Sequence, residues 1–335
     1  MRQTDREAPI TAMRAVIAGT GGYLPERSLT NDELAAWKGL DTSDAWITER
    51  TGIRRRHIAA EGETASDLGT KAALAALAQA GAAVSEVDAV IVATSTPDSA
   101  FPATAVRIQA KLGVSRGFAF DLAAACTGFV YALGVADALV RTGQARGVLV
   151  IGTEIYSRIL DWTDRGTCVL FGDGAGAVFL RAVPVAEAGG RGLLSTHMHS
   201  DGRHGDILVV DGGAGSTGGT GVVRMSGREV FKHAVGKLAS AVDEALAANG
   251  LGHGDVNWLV PHQANLRIIE AMGRKLHLPM DRVVVTVDRH ANTSAASIPL
   301  ALAEAARDGR IRPGDLVLME AIGGGLTWGA ALARF

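Results

Sequence analysis

An α/β fold built from two related halves is what this 335-residue sequence predicts. Two observations carry the expectation. Apolar strand-like runs alternate with alanine-rich helical stretches, and one helix–glycine–strand pattern occurs twice. AVIAG (15–19), DAVIVATS (88–95), GFAFDL (117–122) and GVLVIGT (147–153) read as strands, with a helix over SDLGTKAALAALAQAG (66–81) between the first two. Because these strands are continuously apolar rather than alternating, their sheet is expected to be covered on both faces.

The repeat aligns ALAALAQAGAAVSEVDAVIV with AVDEALAANGLGHGDVNWLV, pairing Gly81 with Gly250, Val87 with Val256 and Asp88 with Asn257, each 169 positions apart. A second alignment joins CTGFVYALGVADALVRTG to NTSAASIPLALAEAARDG through Arg141/Arg307 and Gly143/Gly309, 166 apart. That register sets Asn292 opposite Cys126, at equivalent helix starts across a pseudo-twofold axis. Residues 181 to 221, rich in glycine and small residues, separate the halves, which are taken as 1–182 and 183–335. DGGAGSTGGTG within them reads as a flexible surface loop. GTGGYLP (19–25) and FGDGAGA (171–177) lack the full spacing of a phosphate loop and read as tight turns between strands.

A formal net charge of −2 provides no global basic field for nucleic acid. Two cysteines, Cys126 and Cys168, make neither a disulfide framework nor a zinc-spaced cluster, so no metal is expected and a reducing cytoplasm is the default. The first 19 residues mix acids with arginines and show no signal-peptide core. The apolar stretch 122–140 contains Asp137, Gly128 and Gly134 and ends at Arg141, which suits a buried helix better than a membrane span.

Cys126 follows a strand and opens an apolar helix, a place where the helix dipole and free N–H groups lower a thiol pKa. An inert core cysteine fits the same pattern. NWLVPHQANLRII ends a strand at Pro261 and exposes His262, Gln263 and Asn265 in a polar turn, and VDRHANTSAASIP ends a strand near Asp288 and leads to His290 and Asn292. Strand ends are where open α/β sheets place their sites. A Cys, a His and an Asn from three such junctions suit acyl transfer. A helix cap or satisfied core histidine, and an ordinary N-cap asparagine, are the structural alternatives. Gly323 to Gly325 could bring backbone N–H groups close to an oxyanion, or could simply make a hairpin turn.

DLAAACTGF, WLVPHQANLRI, DRHANTSAASIP and GGGLTWG, with TSDAWITERTGIRRRHI and TDRGT…FGDGAGA, closely resemble β-ketoacyl-acyl carrier protein synthase III, a family of thiolase-fold condensing enzymes. The likeness runs from about Ala15 to Phe335. It implies a thiolase-like, five-layered αβαβα fold of two pseudo-symmetric halves, and a homodimer. It also implies the reaction: an acyl group from acyl-CoA, acetyl or another short chain, is loaded on a cysteine and condensed with malonyl-acyl carrier protein in fatty-acid synthesis. Acyl-CoA is then a substrate, and no cofactor is required.

Carried over by motif, Cys126 is the acylated nucleophile, His262 and Asn292 the decarboxylation pair, and the Gly324 N–H part of the oxyanion hole. Trp46 and Arg165 match residues that sandwich the adenine of coenzyme A, with Arg50 beside them. Gly227, Phe231 and Asn265 correspond to the pantetheine channel, and Phe101 to the acyl pocket. Arg267, Arg274 and Lys275 correspond to a basic patch that docks the carrier protein. Cys168 falls outside the motifs and reads as core. Ile322 stands where a relative has phenylalanine, and the 211–221 loop looks longer than the family's. The alternatives are a specialised ketosynthase III-like acyltransferase of secondary metabolism and a non-catalytic partner subunit.

Overall fold

A computed structural model describes residues 12–335 of the chain, so the reading of the extreme N-terminus lies outside the described residues. The main strands are β1 (Met13–Tyr23), β2 (Ala89–Ala93), β3 (Phe118–Leu122), β4 (Gly147–Ile155), β5 (Asp173–Pro184), β6 (Gly192–Ser200), β7 (Trp258–Pro261), β8 (Leu316–Gly323) and β9 (Thr327–Arg334). The helices that matter for the site are α1 (Asp44–Thr51), α2 (Ala65–Gln79), α3 (Gly128–Arg141), α4 (Gly227–Ala248), α5 (Leu266–Lys275) and α6 (Ser297–Arg307).

One sheet has the order β1-β5-β4-β2-β3 and the other β6-β9-β8-β7. In the first, β4, β2 and β3 run parallel and β5 is antiparallel to both β4 and β1; in the second, β7 and β8 run parallel and β9 is antiparallel to both β8 and β6. The fifth strand of the second sheet is reduced to a single parallel bridge between Leu259 and Val283. Helix α2 packs on the outer face of the first sheet and α4 on the outer face of the second, while α3 and α6 lie between the sheets. The result is the five-layered αβαβα arrangement, with both sheets covered as the apolar strands required.

The 169-residue repeat is visible in matched hydrogen bonds. Asp88 N donates to Gly147 O at 2.8 Å and its Oδ2 accepts from Gly147 N at 3.0 Å, while Asn257 N donates to Leu316 O at 2.9 Å and its Oδ1 accepts from Leu316 N at 2.7 Å. The second alignment needs correction. The turn Ala125–Thr127 that precedes α3 corresponds to Ser294–Ala296 before α6, and Ala125 (φ 45°) and Ser294 (φ 49°) share a left-handed backbone. Cys126 is therefore equivalent to Ala295, not Asn292. Helix α6 has 11 residues against 14 in α3, and the loop before β8 regains the difference, so matching the glycines past the helix ends shifted the helix starts.

Three further expectations change. The strand β5 runs to Pro184, so a boundary at 182/183 cuts it two residues early. No strand ends at Asp288: after one rung at Val284 the chain forms a helical turn, Val287–His290, because Gln263 supplies the missing partners. Its Oε1 accepts from Thr286 N at 2.8 Å and Val287 N at 3.0 Å, and its Nε2 donates to Val284 O at 3.0 Å. The glycines of GTGGYLP, and Gly174 and Gly176 of FGDGAGA, lie inside β1 and β5 rather than in turns. A Cβ at Gly21 would overlap the Ala72 carbonyl of α2, and one at Gly176 would stand 2.5 Å from Leu300 N of α6, so glycine here lets helices approach the sheet closely.

Among the described residues, no helix is long and apolar enough to cross a membrane. Cys168 is fully buried in the core cluster beneath the second sheet, as expected.

Candidate active site

A cavity of about 940 Å³ opens at the surface between α1, α4 and α5 and descends to Cys126. Cys126, His262, Asn292 and Gly324 meet at its inner end, and Trp46, Arg50, Gly227, Phe231, Asn265 and Arg267 line the way in. Residues from all three motifs thus line one cavity, although the motif carrying Asn292 follows a helical turn rather than a strand end.

His262 follows the end of β7 and is held by its N–H donating to Glu320 O at 2.8 Å. Ser297 decides its tautomer. The Ser297 hydroxyl oxygen accepts from Gln263 N at 3.3 Å, and the acceptor within reach of its own proton is His262 Nδ1 at 2.7 Å. The imidazole proton therefore sits on Nε2. Burial depresses the His262 pKa to about 3, so the ring is neutral near pH 7. Asn292 is oriented in a comparable way: its Oδ1 accepts from Ser294 N at 2.8 Å, which reserves the amide NH₂ for another partner.

Cys126 lies in the turn Ala125–Thr127, and α3 begins only at Gly128. Its thiol is pushed up to about 12, chiefly by burial and further by the Glu154 charge, against hydrogen bonding from Ser294. The expected lowering by the helix is thus overturned: desolvation of a thiolate outweighs a helix dipole at this position. Gly323 passes so near that a Cβ there would stand 2.7 Å from Cys126 N, which is the close approach the glycine run was expected to allow.

At the outer end, the guanidinium groups of Arg50 and Arg165 lie 4.8 and 5.2 Å from the Trp46 ring centroid. Arg165 donates to Asp41 O and stands beside the cavity rather than in its wall. Asn265 caps α5 by accepting from Arg267 N at 2.9 Å and ties it to α1 through Arg50 O at 3.2 Å. Arg267 reinforces that tie through Glu49 O at 3.0 Å. Arg274 and Lys275 are at the far end of α5, exposed and outside the cavity.

Phe101 does not reach the site of its own chain. It is 85% exposed, because the loop after β2 turns outward before the helix at Thr104. Tyr156 and Phe171 instead wall the inner cavity, their rings stacked with centroids 4.7 Å apart, with Ser95 beside them. Gln263, read as exposed in the polar turn, is instead fully buried, and the sequence reading missed Ser297, Arg228 and Glu154. An acid closing the apolar strand VLVIGTE was the one available signal.

Four buried groups set the pH dependence of stability. Burial lifts Glu154 to about 7 and Glu320 to about 8, and drops His262 to about 3 and His290 to about 4. The carboxyls bind protons more tightly in the native state, so their contribution is present below pH 4.5 and lost as pH rises toward 8. The histidine contribution is present above pH 6.5 and lost as pH falls. Thermal stability is therefore expected to decline between pH 6.5 and 8. Glu320, whose Oε2 has no hydrogen-bond partner, should be one source of the decline. Glu320→Gln is expected to reduce that slope by about 1.4 kcal/mol per pH unit, the value for one proton. An unchanged slope in unfolding scans across this range would refute the assignment.

Comparison with known proteins adds the following. Residues 120–202 match the model of 3-oxoacyl-[acyl-carrier-protein] synthase III, and residues 246–335 match that of its C-terminal region. The chain is 68% identical over 322 residues to a β-ketoacyl-[acyl-carrier-protein] synthase III of Acidiphilium cryptum, covering 96% of this chain and 99% of that one. It superposes with TM-score 0.90 on the crystal structure of 3-oxoacyl-[acyl-carrier-protein] synthase III from Aquifex aeolicus, at 46% identity, covering 96% and 100% of the two chains. The priming β-ketosynthase of the R1128 polyketide pathway is similar at 36% identity and TM-score 0.90, covering 99% of this chain and 98% of that one.

Proposed function

The chain belongs to the β-ketoacyl-acyl carrier protein synthase III family, and from that premise we propose that Cys126, His262 and Asn292 are its catalytic residues. The enzyme condenses an acyl-CoA with malonyl-acyl carrier protein to give β-ketoacyl-acyl carrier protein, the step that initiates fatty-acid synthesis. The observation that carries the residue assignment is that a thiol and two side-chain donors line the same inner end of one cavity. The His262 Nε2–H and the Asn292 NH₂ are freed by Ser297 and by Ser294 N respectively.

In this mechanism the Cys126 sulfur attacks the acyl-CoA carbonyl and coenzyme A departs as its thiol. The malonyl thioester then enters and loses carbon dioxide. The electron pair of the broken C–C bond forms an enolate whose oxygen is held by the two donors. A neutral imidazole suits this role, since it donates without surrendering a full proton. The enolate carbon attacks the acyl-cysteine, and the backbone N–H groups of Cys126 and Gly324 hold the resulting oxyanion until the Cys126 thiolate is released. Tyr156 and Phe171 close the cavity behind the thiol and favour a short primer.

Coenzyme A would enter with its adenine against Trp46, flanked by Arg165 and Arg50, and its pantetheine along Gly227, Phe231 and Asn265. Trp46→Ala is accordingly expected to raise KM for acyl-CoA about tenfold with kcat little changed, the scale of one stacking and cation–π contact. A fall confined to kcat would place Trp46 elsewhere in the reaction. Arg267 at the cavity mouth, with Arg274 and Lys275 further along α5, would meet the acidic carrier protein and act mainly on encounter rate.

A homodimer is supported by β3, which is the unpaired edge of the first sheet, and by the exposed Phe118 and Phe101 near it. On this reading the enzyme works in the cytoplasm without nucleic acid, membrane or cofactor. The decisive experiment is intact-mass spectrometry after incubation with a panel of acyl-CoAs, followed by malonyl-carrier protein. An adduct on Cys126 that is discharged as β-ketoacyl-carrier protein supports the reading and names the primer. Discharge to a different acceptor would favour a secondary-metabolism enzyme, and no adduct would favour a non-catalytic subunit.

A further inference from the structure

One wall of the cavity belongs to neither sheet. Leu208–Val210 and Val223–Met225 pair antiparallel as a separate hairpin, and Leu208, Val209, Val210, Val223 and Met225 all line the cavity. The hairpin also reaches the inner end. A Cβ on Gly324 would stand 2.7 Å from Leu208 O, so the hairpin backbone lies directly against this glycine. Each strand is only 3 residues long, and the loop joining them is the glycine-rich DGGAGSTGGTG. A ribbon that short is marginal by itself, and a glycine-rich connection adds to the entropy that ordering it must overcome.

Arg224 fastens it. Although it lies between Val223 and Met225, it is not in the cavity wall, and its side chain reaches two carboxylates instead. Nη1 donates to Asp161 Oδ2 at 2.7 Å and Nε to Asp211 Oδ2 at 2.8 Å. Both acids are already oriented through their other oxygen. Asp161 Oδ1 accepts from Thr163 N at 3.0 Å and from Thr163 Oγ1 at 2.6 Å, and Asp211 Oδ1 accepts from Val222 N at 2.8 Å. The pair with Asp211 closes the base of the glycine-rich loop. The pair with Asp161 crosses to the segment that runs from Tyr156 in the inner wall to Arg165 beside Trp46. The hairpin meets that segment a second time, where Val223 N donates to Ile159 O at 2.8 Å. An isolated, half-exposed ion pair contributes little, but a guanidinium forked between two pre-oriented carboxylates loses less side-chain freedom for each bond it makes.

We infer that Arg224 is a positioning residue for the substrate channel: by clamping the hairpin to Asp161 it keeps this wall closed on the pantetheine arm and holds Leu208 against Gly324. Arg224 touches no substrate and acts only through the hairpin. This role presupposes that the cavity is the acyl-CoA channel, as proposed above.

The test replaces Arg224 in the full chain by methionine, which keeps an apolar stem and removes both ion pairs, and by lysine, which keeps the charge without the fork. Amide hydrogen exchange read by mass spectrometry on the unliganded protein reports the clamp without any catalysis. Arg224→Met should exchange faster than wild type at 208–210, 223–225 and 159–161 and like wild type elsewhere, with Arg224→Lys between the two. In steady-state assays Arg224→Met should raise KM for acyl-CoA about fivefold, the scale of two half-exposed ion pairs, with a smaller fall in kcat and an unchanged melting temperature. Wild-type exchange in Arg224→Met overturns the clamp whether or not acyl-CoA loads Cys126, so its failure is separate from that of the acyl-CoA reading. Faster exchange with an unchanged KM overturns the positioning role. A loss confined to kcat with a lowered melting temperature does the same, because a residue that merely stabilises the fold would behave that way.

Discussion

Replacing Cys126 by serine should abolish the acyl adduct and lower condensation by on the order of 10⁴-fold or more, the range in which loss of a catalytic nucleophile falls. The hydroxyl is the weaker nucleophile and is harder to ionise. It would sit in the same dry pocket that already lifts the thiol to about 12. The substitution is nearly isosteric, so acyl-CoA binding and the melting temperature should change little. The measurement is the same mass assay, run beside a binding titration. An adduct that persists in Cys126→Ser would show that another residue carries the acyl group.

The second large effect is expected at His262. His262→Ala removes one of two enolate donors, which by the cost of deleting such a donor should slow decarboxylation by about 10² to 10³-fold. It leaves the Cys126 sulfur and the backbone N–H groups in place. The acyl adduct should still form, and on addition of malonyl-carrier protein it should accumulate instead of being discharged. A variant that neither acylates nor decarboxylates would mean that His262 also serves the first half-reaction. Normal discharge would remove it from the mechanism. Because Ser297 holds the ring through Nδ1, Ser297→Ala should show a weaker form of the same defect.

The apolar strands, the two outer helices and the first repeat were legible because each rests on local pattern. Continuous apolar runs require covering on both faces, and a glycine left-handed at a helix end repeats wherever the same unit repeats, as at Gly81 (φ 59°) and Gly250 (φ 65°). The convergence of Cys126, His262 and Asn292 was legible because all three follow structural breaks at one edge of the fold. The register of the second repeat was not, because a helix can lose residues and a loop regain them without any local sign.

What the sequence determined by itself is therefore the element order, the duplicated plan and the candidate reacting groups, which depend on residue type and spacing. What only the tertiary structure decided is how those groups are tuned. The helix was expected to lower the Cys126 pKa, yet burial raises it. Phe101 was expected in the pocket, yet within its own chain it faces outward, and Tyr156 and Phe171 wall the inner cavity. Ser297, Gln263 and Glu154 come from segments far apart in the chain and reach the site only when the two sheets close on α3 and α6. Desolvation and hydrogen-bond partnership depend on what surrounds a group in space, and that is settled only once the chain has folded.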